Sequence, residues 1–367
     1  LSLVLIVFSV AFVCSLALVL TKGWHGRYSM DSSFGVQKIH LQATPRIGGV
    51  AIALSLLLGW WVAPPAVQAI LRVMLLAGIP AFACGLLEDI TKKVSVRNRL
   101  LATMFSGGVA CYLTGIAMQN TGFAPLDWLL QWMTLAVLFT AFAVGGIANA
   151  INIIDGVHGL AAGAVAIMLS ALGLIALNVG DSALATVCFV VAACALGFGA
   201  VNWPLGKLFL GDGGAYLLGF MLAWLAVLLP MRNPQLNAWT SLLVVLYPVL
   251  EVMFSVLRRW RREGHNPGQP DKLHMHHLIY RRIVSTLWKG LPGVLKNGMT
   301  SPICWVFVAL PATWAVMFAQ NTAMLAGAAV VFALAYSSLY ARLTQFAWCF
   351  SALTLQRSAD KPSTSHA

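Results

Sequence analysis

Residues 128–156 read WLLQWMTLAVLFTAFAVGGIANAINIIDG. Positions 128–148 carry no charge, and a run of about 20 apolar residues is what a helix needs to cross the ~30 Å hydrocarbon layer of a bilayer. Asn149, Asn152 and Asp155 then follow at intervals of three, closed by Gly156. On a helix that spacing sets the three polar groups on one face. The stretch therefore predicts a membrane-spanning helix whose end carries two amides and a carboxylate in line. A single Asn there would read as glue between helices. Three polar groups and a glycine fit a ligand site better, because glycine admits close approach to the backbone.

The rest of the 367-residue chain repeats the apolar pattern. Hydrophobic residues make up 60% and charged residues 9%, and the mean hydropathy is +0.83. Further apolar runs lie at 1–20, 47–63, 69–87, 100–119, 160–177, 183–201, 215–231, 238–256, 302–319 and 322–341. Lipid forces backbone polar groups to pair internally. These runs accordingly predict an all-α integral membrane protein, a polytopic bundle of about 10–11 transmembrane helices with functional loops on one side. They are too long, and alternate too little, for a β-barrel. Residues 1–345 read as one membrane domain and 346–367 as a polar tail. The first run has no basic leader and reads as a retained helix, not a signal peptide. The seven cysteines lie in or beside apolar stretches without a Cys-x-x-Cys pair, as small core residues do.

Of the 23 Lys and Arg residues, all but Arg72 and Arg232 fall within the segments 21–46, 88–99, 149–159, 202–214, 257–301 and 342–367. These segments alternate with the runs so as to share one side, which the positive-inside rule makes cytoplasmic. The net charge of +12 then reflects loops facing anionic headgroups. The run Arg258-Arg259-Trp260-Arg261-Arg262 is of that kind. No soluble basic domain is present to bind nucleic acid.

Only 11 residues are acidic, and acids beside lipid are costly enough to imply a function. Glu88-Asp89 ends a span; adjacent carboxylates suit a divalent cation or a shared proton, against the plainer reading of a solvated helix end. Lys207-Leu-Phe-Leu-Gly-Asp212-Gly-Gly places a cation, a carboxylate and a glycine-rich turn at the start of a span, where backbone N–H groups bind anions. There Asp212 is suited to holding Mg²⁺ against a diphosphate. His158, between Gly156 and Gly159, reads equally as a packed residue or a ligand. His274, His276 and His277 lie in the longest loop; zinc is one partner for them, but the surrounding Arg and Lys favour phosphate. Lys38 and Arg46, the latter in Thr44-Pro-Arg-Ile-Gly-Gly, are phosphate-binding types, the Arg bidentate. All three acidic motifs fall on the basic side.

Taken together, these motifs resemble the bacterial polyprenyl-phosphate N-acetylhexosamine-1-phosphate transferases, the MraY–WecA family (glycosyltransferase family 4), in the family's order from about Lys38 to Arg282. The His274-x-His276-His277 form is closer to the WecA-like branch. Two positions depart from the family pattern: Glu88 stands where relatives carry Asp, and His158 where many carry Asp. The resemblance implies an inner-membrane enzyme with its site facing the cytoplasm. It would transfer N-acetylglucosamine-1-phosphate or a related sugar phosphate from a UDP-sugar to undecaprenyl phosphate, releasing UMP at the start of O-antigen or capsule synthesis. Mg²⁺, with Mn²⁺ able to substitute, would be held by Asp212 with Asp155 and Asp89. Asp89 would take the acceptor's proton, beside Glu88. Asn152 and Asp155 would orient donor and metal, and Lys38, Arg46, Asn149, His158, Lys207 and the three loop histidines would contact substrate. A homodimer is compatible with the family. The alternatives are another amino-sugar donor, UDP-MurNAc-pentapeptide, or a polyprenyl-phosphate binder without chemistry. A transporter would place its charges on both sides or at the midplane.

Overall fold

The computed structural model describes residues 2–31, 44–261 and 273–345. The tail 346–367 and the loop position Lys38 lie outside them. The helices are α1 Ser2–Leu20, α2 Lys22–Ser29, α3 Gly48–Val62, α4 Pro65–Thr91, α5 Val96–Thr114, α6 Ala124–Leu129, α7 Met133–Ile154 and α8 Leu160–Asn178. They continue as α9 Ser182–Asn202, α10 Gly211–Arg232, α11 Ala238–Val244, α12 Leu246–Arg261, α13 Met275–Ile279, α14 Ser285–Leu287, α15 Gly293–Met317 and α16 Thr322–Thr344. A π-helical turn, Tyr280–Val284, joins α13 to α14. The one strand pairing among the described residues is two residues long and antiparallel, Met30 with Pro45 and Asp31 with Thr44. The protein is thus an all-α, multi-pass membrane bundle.

Local signals set the helix ends. Pro64 and Pro65 open α4, and Lys92 closes it in the left-handed region. Ser95 caps α5 by accepting the Asn98 N–H, and Asp181 caps α9 by accepting that of Leu184, as short polar N-caps do. α10 is the central post, almost wholly buried among α3, α4, α7, α8 and α9. α1 and α16 turn most of their apolar surface outward, where lipid covers it.

Eight helices are long and apolar enough to cross a membrane, and nine if α11 and α12, bent by 77°, form one span. α3 and α5 fall outside that length-and-composition criterion, yet the chain crosses with them: each begins at the site, where α4 and α7 end, and leads to the far end, where α4 or α7 begins, in keeping with the expected 10–11. Their departures from the criterion are local. At 15 residues and 1.5 Å per residue, α3 rises only ~22 Å. The first turn of α5 contains Arg97 and Arg99. Both helices begin beside the acidic motifs, so their N-terminal ends serve the site and not the hydrocarbon.

Packing around α10 depends on missing side chains. A Cβ at Gly85 on α4 would lie 2.6 Å from the backbone carbonyl of Asp212, and backbone cannot give way as a flexible side chain can. A Cβ at Gly108 on α5 meets nothing within 4 Å. We expect Gly85→Ala to lower the thermal unfolding midpoint in detergent, with an overpacking cost of about 1–3 kcal/mol. Gly108→Ala should hold it or gain up to about 1 kcal/mol from helix propensity. Equal midpoints would contradict the close α4–α10 approach.

Candidate active site at the helix ends

The site is assembled where α4 and α7 end and α3, α5 and α10 begin. Asp89, in the last turn of α4, is 1% exposed. Its Oδ1 accepts the N–H of Asp212 at 2.8 Å and its Oδ2 that of Gly213 at 2.8 Å. The first N–H groups of a helix have no partner within it, so Asp89 completes the start of α10 and places negative charge at the favourable end of its dipole. Gly211 has φ +74°, and a Cβ there would run into the Arg46 carbonyl and the Asp89 carboxylate. Both observations require glycine. The Thr44–Gly49 segment docks on the same turn: Phe209 N–H donates to Pro45 at 2.8 Å, Gly48 N–H to Phe209 at 3.0 Å and Gly49 N–H to Leu210 at 3.0 Å.

This scaffold aims Asp212 inward, 1% exposed. Its Oδ1 accepts from Arg46 Nη2 and from Asn152 Nδ2, the latter at 3.1 Å, and its Oδ2 accepts from Arg99 Nη1. Arg46 Nε also faces Asp89 Oδ1 at 3.1 Å. Tyr216, one turn along α10, donates its hydroxyl to Asn152 Oδ1 at 3.4 Å. Asp155, just past the end of α7, is half-buried and makes no side-chain hydrogen bond among the described residues. Burial pushes its carboxyl up to about 7; Arg46 opposes the rise, and Asp212 and Asp89 add to it.

The other expected residues have varied surroundings. Glu88 accepts the Val94 N–H at 2.7 Å, which closes the turn between α4 and α5. Asn149 donates to Thr103 Oγ1 at 2.9 Å and to the Gly145 carbonyl at 2.8 Å, the helix-gluing arrangement. His158 is buried; its Nδ1 lies 3.1 Å from the Pro204 carbonyl, and its ring fills the space a Cβ at Gly206 would need. Its backbone is tied to Asn297 and Ser301 of α15. Lys207 is exposed.

His274, His276 and His277 are all buried, with the rings of His274 and His276 parallel within 5° and 5.6 Å apart. Burial is the main reason that His276 and His277 ionise less readily than a free imidazole. The His276 ring sits where a Cβ at Gly156 would be, so the histidine loop touches the Asp155-Gly156 turn. Three partners were absent from the sequence reading. Arg99 was hidden among Lys92, Lys93 and Arg97, Tyr216 within an apolar span, and Glu251, which faces the histidines, within the run 238–256. Only Glu251 carried a readable signal, a carboxylate inside an apolar run.

Among the described residues no group of three or more His, Cys, Asp or Glu side chains is set to enclose a metal. Mg²⁺ commonly takes one or two carboxylates and completes its shell with substrate phosphates and water. The oxygen donors present fit such an open site. Asp155 has an uncommitted carboxylate, and Asp212 is held by guanidinium groups of the kind that bind phosphate.

Residues 71–230 match the model of glycosyl transferase family 4. The chain is similar to the undecaprenyl-phosphate alpha-N-acetylglucosaminyl 1-phosphate transferase of Yersinia pestis, 27% identical over 290 residues, 75% of this chain and 79% of that one. It is also similar to the probable undecaprenyl-phosphate N-acetylglucosaminyl 1-phosphate transferase of Bacillus subtilis (strain 168), 30% identical over 249 residues, 66% and 67% of the two chains. The matched family segment contains Asp89, Arg99, Asn152, Asp155 and Asp212, the residues that meet at the helix ends. The chain is a member of glycosyl transferase family 4.

Proposed function

We propose that this protein transfers N-acetylglucosamine-1-phosphate, or the phosphate of a related amino sugar, from a UDP-sugar to undecaprenyl phosphate. It would do so at the cytoplasmic face of a bacterial inner membrane, at the start of a cell-surface polysaccharide. The observation that carries the reading is the convergence of Arg46 and Arg99 on Asp212 beside the open carboxylate of Asp155. Both substrates are anionic, so a site for them needs fixed cations as well as carboxylates. The names of the relatives supply the substrate class, and the charge bias of the loops supplies the sidedness.

In this reaction an oxygen of the lipid phosphate attacks the β-phosphorus of the donor. A new P–O bond forms, the bond from that phosphorus to the bridging oxygen breaks, and UMP leaves with the bridging oxygen. Arg46 and Arg99 bind the diphosphate and offset its charge. Asn152 holds Asp212 in place. The lipid phosphate attacks in its deprotonated form, and Asp89, with both oxygens bonded to backbone N–H groups, builds the turn and is not set to take a proton. Mg²⁺, held by Asp212 and Asp155, would supply charge neutralisation at the leaving phosphate. The departures at Glu88 and His158 have local structural duties, so neither weighs against chemistry.

Purified protein supplied with undecaprenyl phosphate, Mg²⁺ and a panel of UDP-amino sugars should release UMP, with one sugar preferred. No release from any donor, with folded protein, would refute the reading. Chelation with EDTA should stop release, and added Mg²⁺ or Mn²⁺ should restore it; unchanged turnover in EDTA would remove the metal from the mechanism. Asp212→Asn should keep the thermal midpoint within a few degrees and lose at least about a hundredfold in kcat, the usual cost of deleting a charge-stabilising group. Near-normal kcat would exclude Asp212. Glu88→Asp should lose only the Val94 contact, about 0.5–1.5 kcal/mol of stability, and keep kcat within about threefold; a hundredfold loss of kcat would place Glu88 in the chemistry.

A further inference from the structure

Glu251 lies in the second turn of α12, beyond the 77° bend from α11, and is 1% exposed. A buried carboxylate is costly unless its lone pairs meet donors. Here Oε1 accepts from the Tyr247 hydroxyl at 3.1 Å, and Oε2 accepts from Met275 N–H at 3.2 Å and from His274 Nδ1 at 3.3 Å. Oε1 also faces Nδ1 of His276 at 3.8 Å, an ionic contact outside hydrogen-bond range. One carboxylate thus addresses the same nitrogen of two parallel rings.

An ionised carboxylate only accepts, so a ring nitrogen bonded to it carries the proton. That sets the tautomer of His274, and the negative charge facing Nδ1 of His276 favours the proton there too, which leaves its Nε2 for another partner. Neither ring nitrogen of His276 has a hydrogen-bond partner among the described residues although the side chain is 0% exposed; Nδ1 faces the Glu251 carboxylate, and Nε2 points to the other side. Buried polar atoms without partners are rare enough to need an explanation. Nε2 lies in the space a Cβ at Gly156 would occupy, next to Asp155. A purely structural Glu251 would be satisfied by the Met275 N–H and the Tyr247 hydroxyl. It would explain neither why both oxygens are turned toward ring nitrogens nor why the buried Nε2 of His276 lacks a partner on the far side.

We propose that Glu251 is a positioning residue: it holds the His274–His276 pair so that Nε2 of His276 is presented to the phosphate or nucleotide bound at the Asp155-Gly156 turn. The proposal rests on the transferase reading above for the identity of that ligand, and on geometry alone for the contact.

The test compares wild type with Glu251→Gln and Glu251→Asp in the full-length protein, by turnover, thermal midpoint and ¹⁵N-histidine NMR with and without UMP. Gln keeps the length but sets an amide donor against a ring nitrogen. We expect its midpoint within a few degrees of wild type and kcat/KM lower by about ten- to hundredfold, the usual cost of losing a partner that orients a functional imidazole. Asp, which keeps the charge, should recover part of the loss. In wild type the His276 signals should report a proton on Nδ1, and the Nε2 signal should move when UMP is added. A His276 protonated on Nε2 alone, an Nε2 signal indifferent to UMP, or a Gln variant with wild-type kcat/KM would each overturn the proposal. So would loss of activity only in step with loss of folded protein. If wild type releases no UMP from any donor, the transferase reading fails, while the tautomer measurement still decides the Glu251 contact.

Discussion

Asp89 accepts two backbone N–H groups from the first turn of α10 just as its own helix ends, and this cross-helix contact fixes where Asp212 points. The carboxylate does what an N-cap side chain does within one helix, but from another helix. Its burial is tolerable because each oxygen has a backbone donor and Arg46 lies alongside. The Thr44–Gly49 segment then docks on the same turn through three backbone hydrogen bonds, which brings Arg46 to both carboxylates. Removing Asp89 would release the turn, the cation and the second carboxylate together. Loss of activity in an Asp89 variant would therefore not identify it as a proton acceptor.

Charge balance explains the arginine pair. Asp89 and Asp212 lie close enough to Asp155 to raise its cost of ionisation, which Arg46 opposes, and Arg46 and Arg99 pair with the carboxylates of the site. In the proposed reaction the same two guanidinium groups meet an anionic diphosphate. Their contact with Asp212 keeps them oriented in its absence, so less side-chain freedom is lost on binding. A lysine pair would provide the charge without the planar fork that can address a carboxylate and a phosphate in turn.

The apolar runs made the fold class legible, because hydropathy over about 20 residues is a direct consequence of bilayer thickness. They also marked α3 and α5, one short and the other opening with arginines, whose first turns serve the site. Within the site, spacing was a weaker guide. Asn149 and Asn152 are one helical turn apart, yet Asn152 meets Asp212 while Asn149 meets Thr103 of α5. A three-residue interval drifts around a helix of 3.6 residues per turn, and only the neighbouring helices decide which position faces a ligand. Arg99 was unreadable for a similar reason: four cations follow the acidic pair, and the capped start of α5 selects the one that turns back. Glu251 was readable in principle, since a carboxylate in an apolar run calls for a partner.

The motif glycines are better understood as distances than as turns. Gly49 lies against the backbone of Gly214, Gly85 against that of Asp212, and Gly156 against the ring of His276. Each contact joins two segments that are far apart in the chain, and each would be blocked by a methyl group. Gly211 also needs its positive φ, as does Gly159 beside His158. A glycine at a helix crossing preserves a separation that no hydrogen bond enforces, and the site needs several such separations at once because its groups come from five different helices. A chain with every charged residue intact but one of these glycines enlarged would still carry the motifs in its sequence. Its helix ends would no longer bring Arg46, Arg99, Asp155 and Asp212 together.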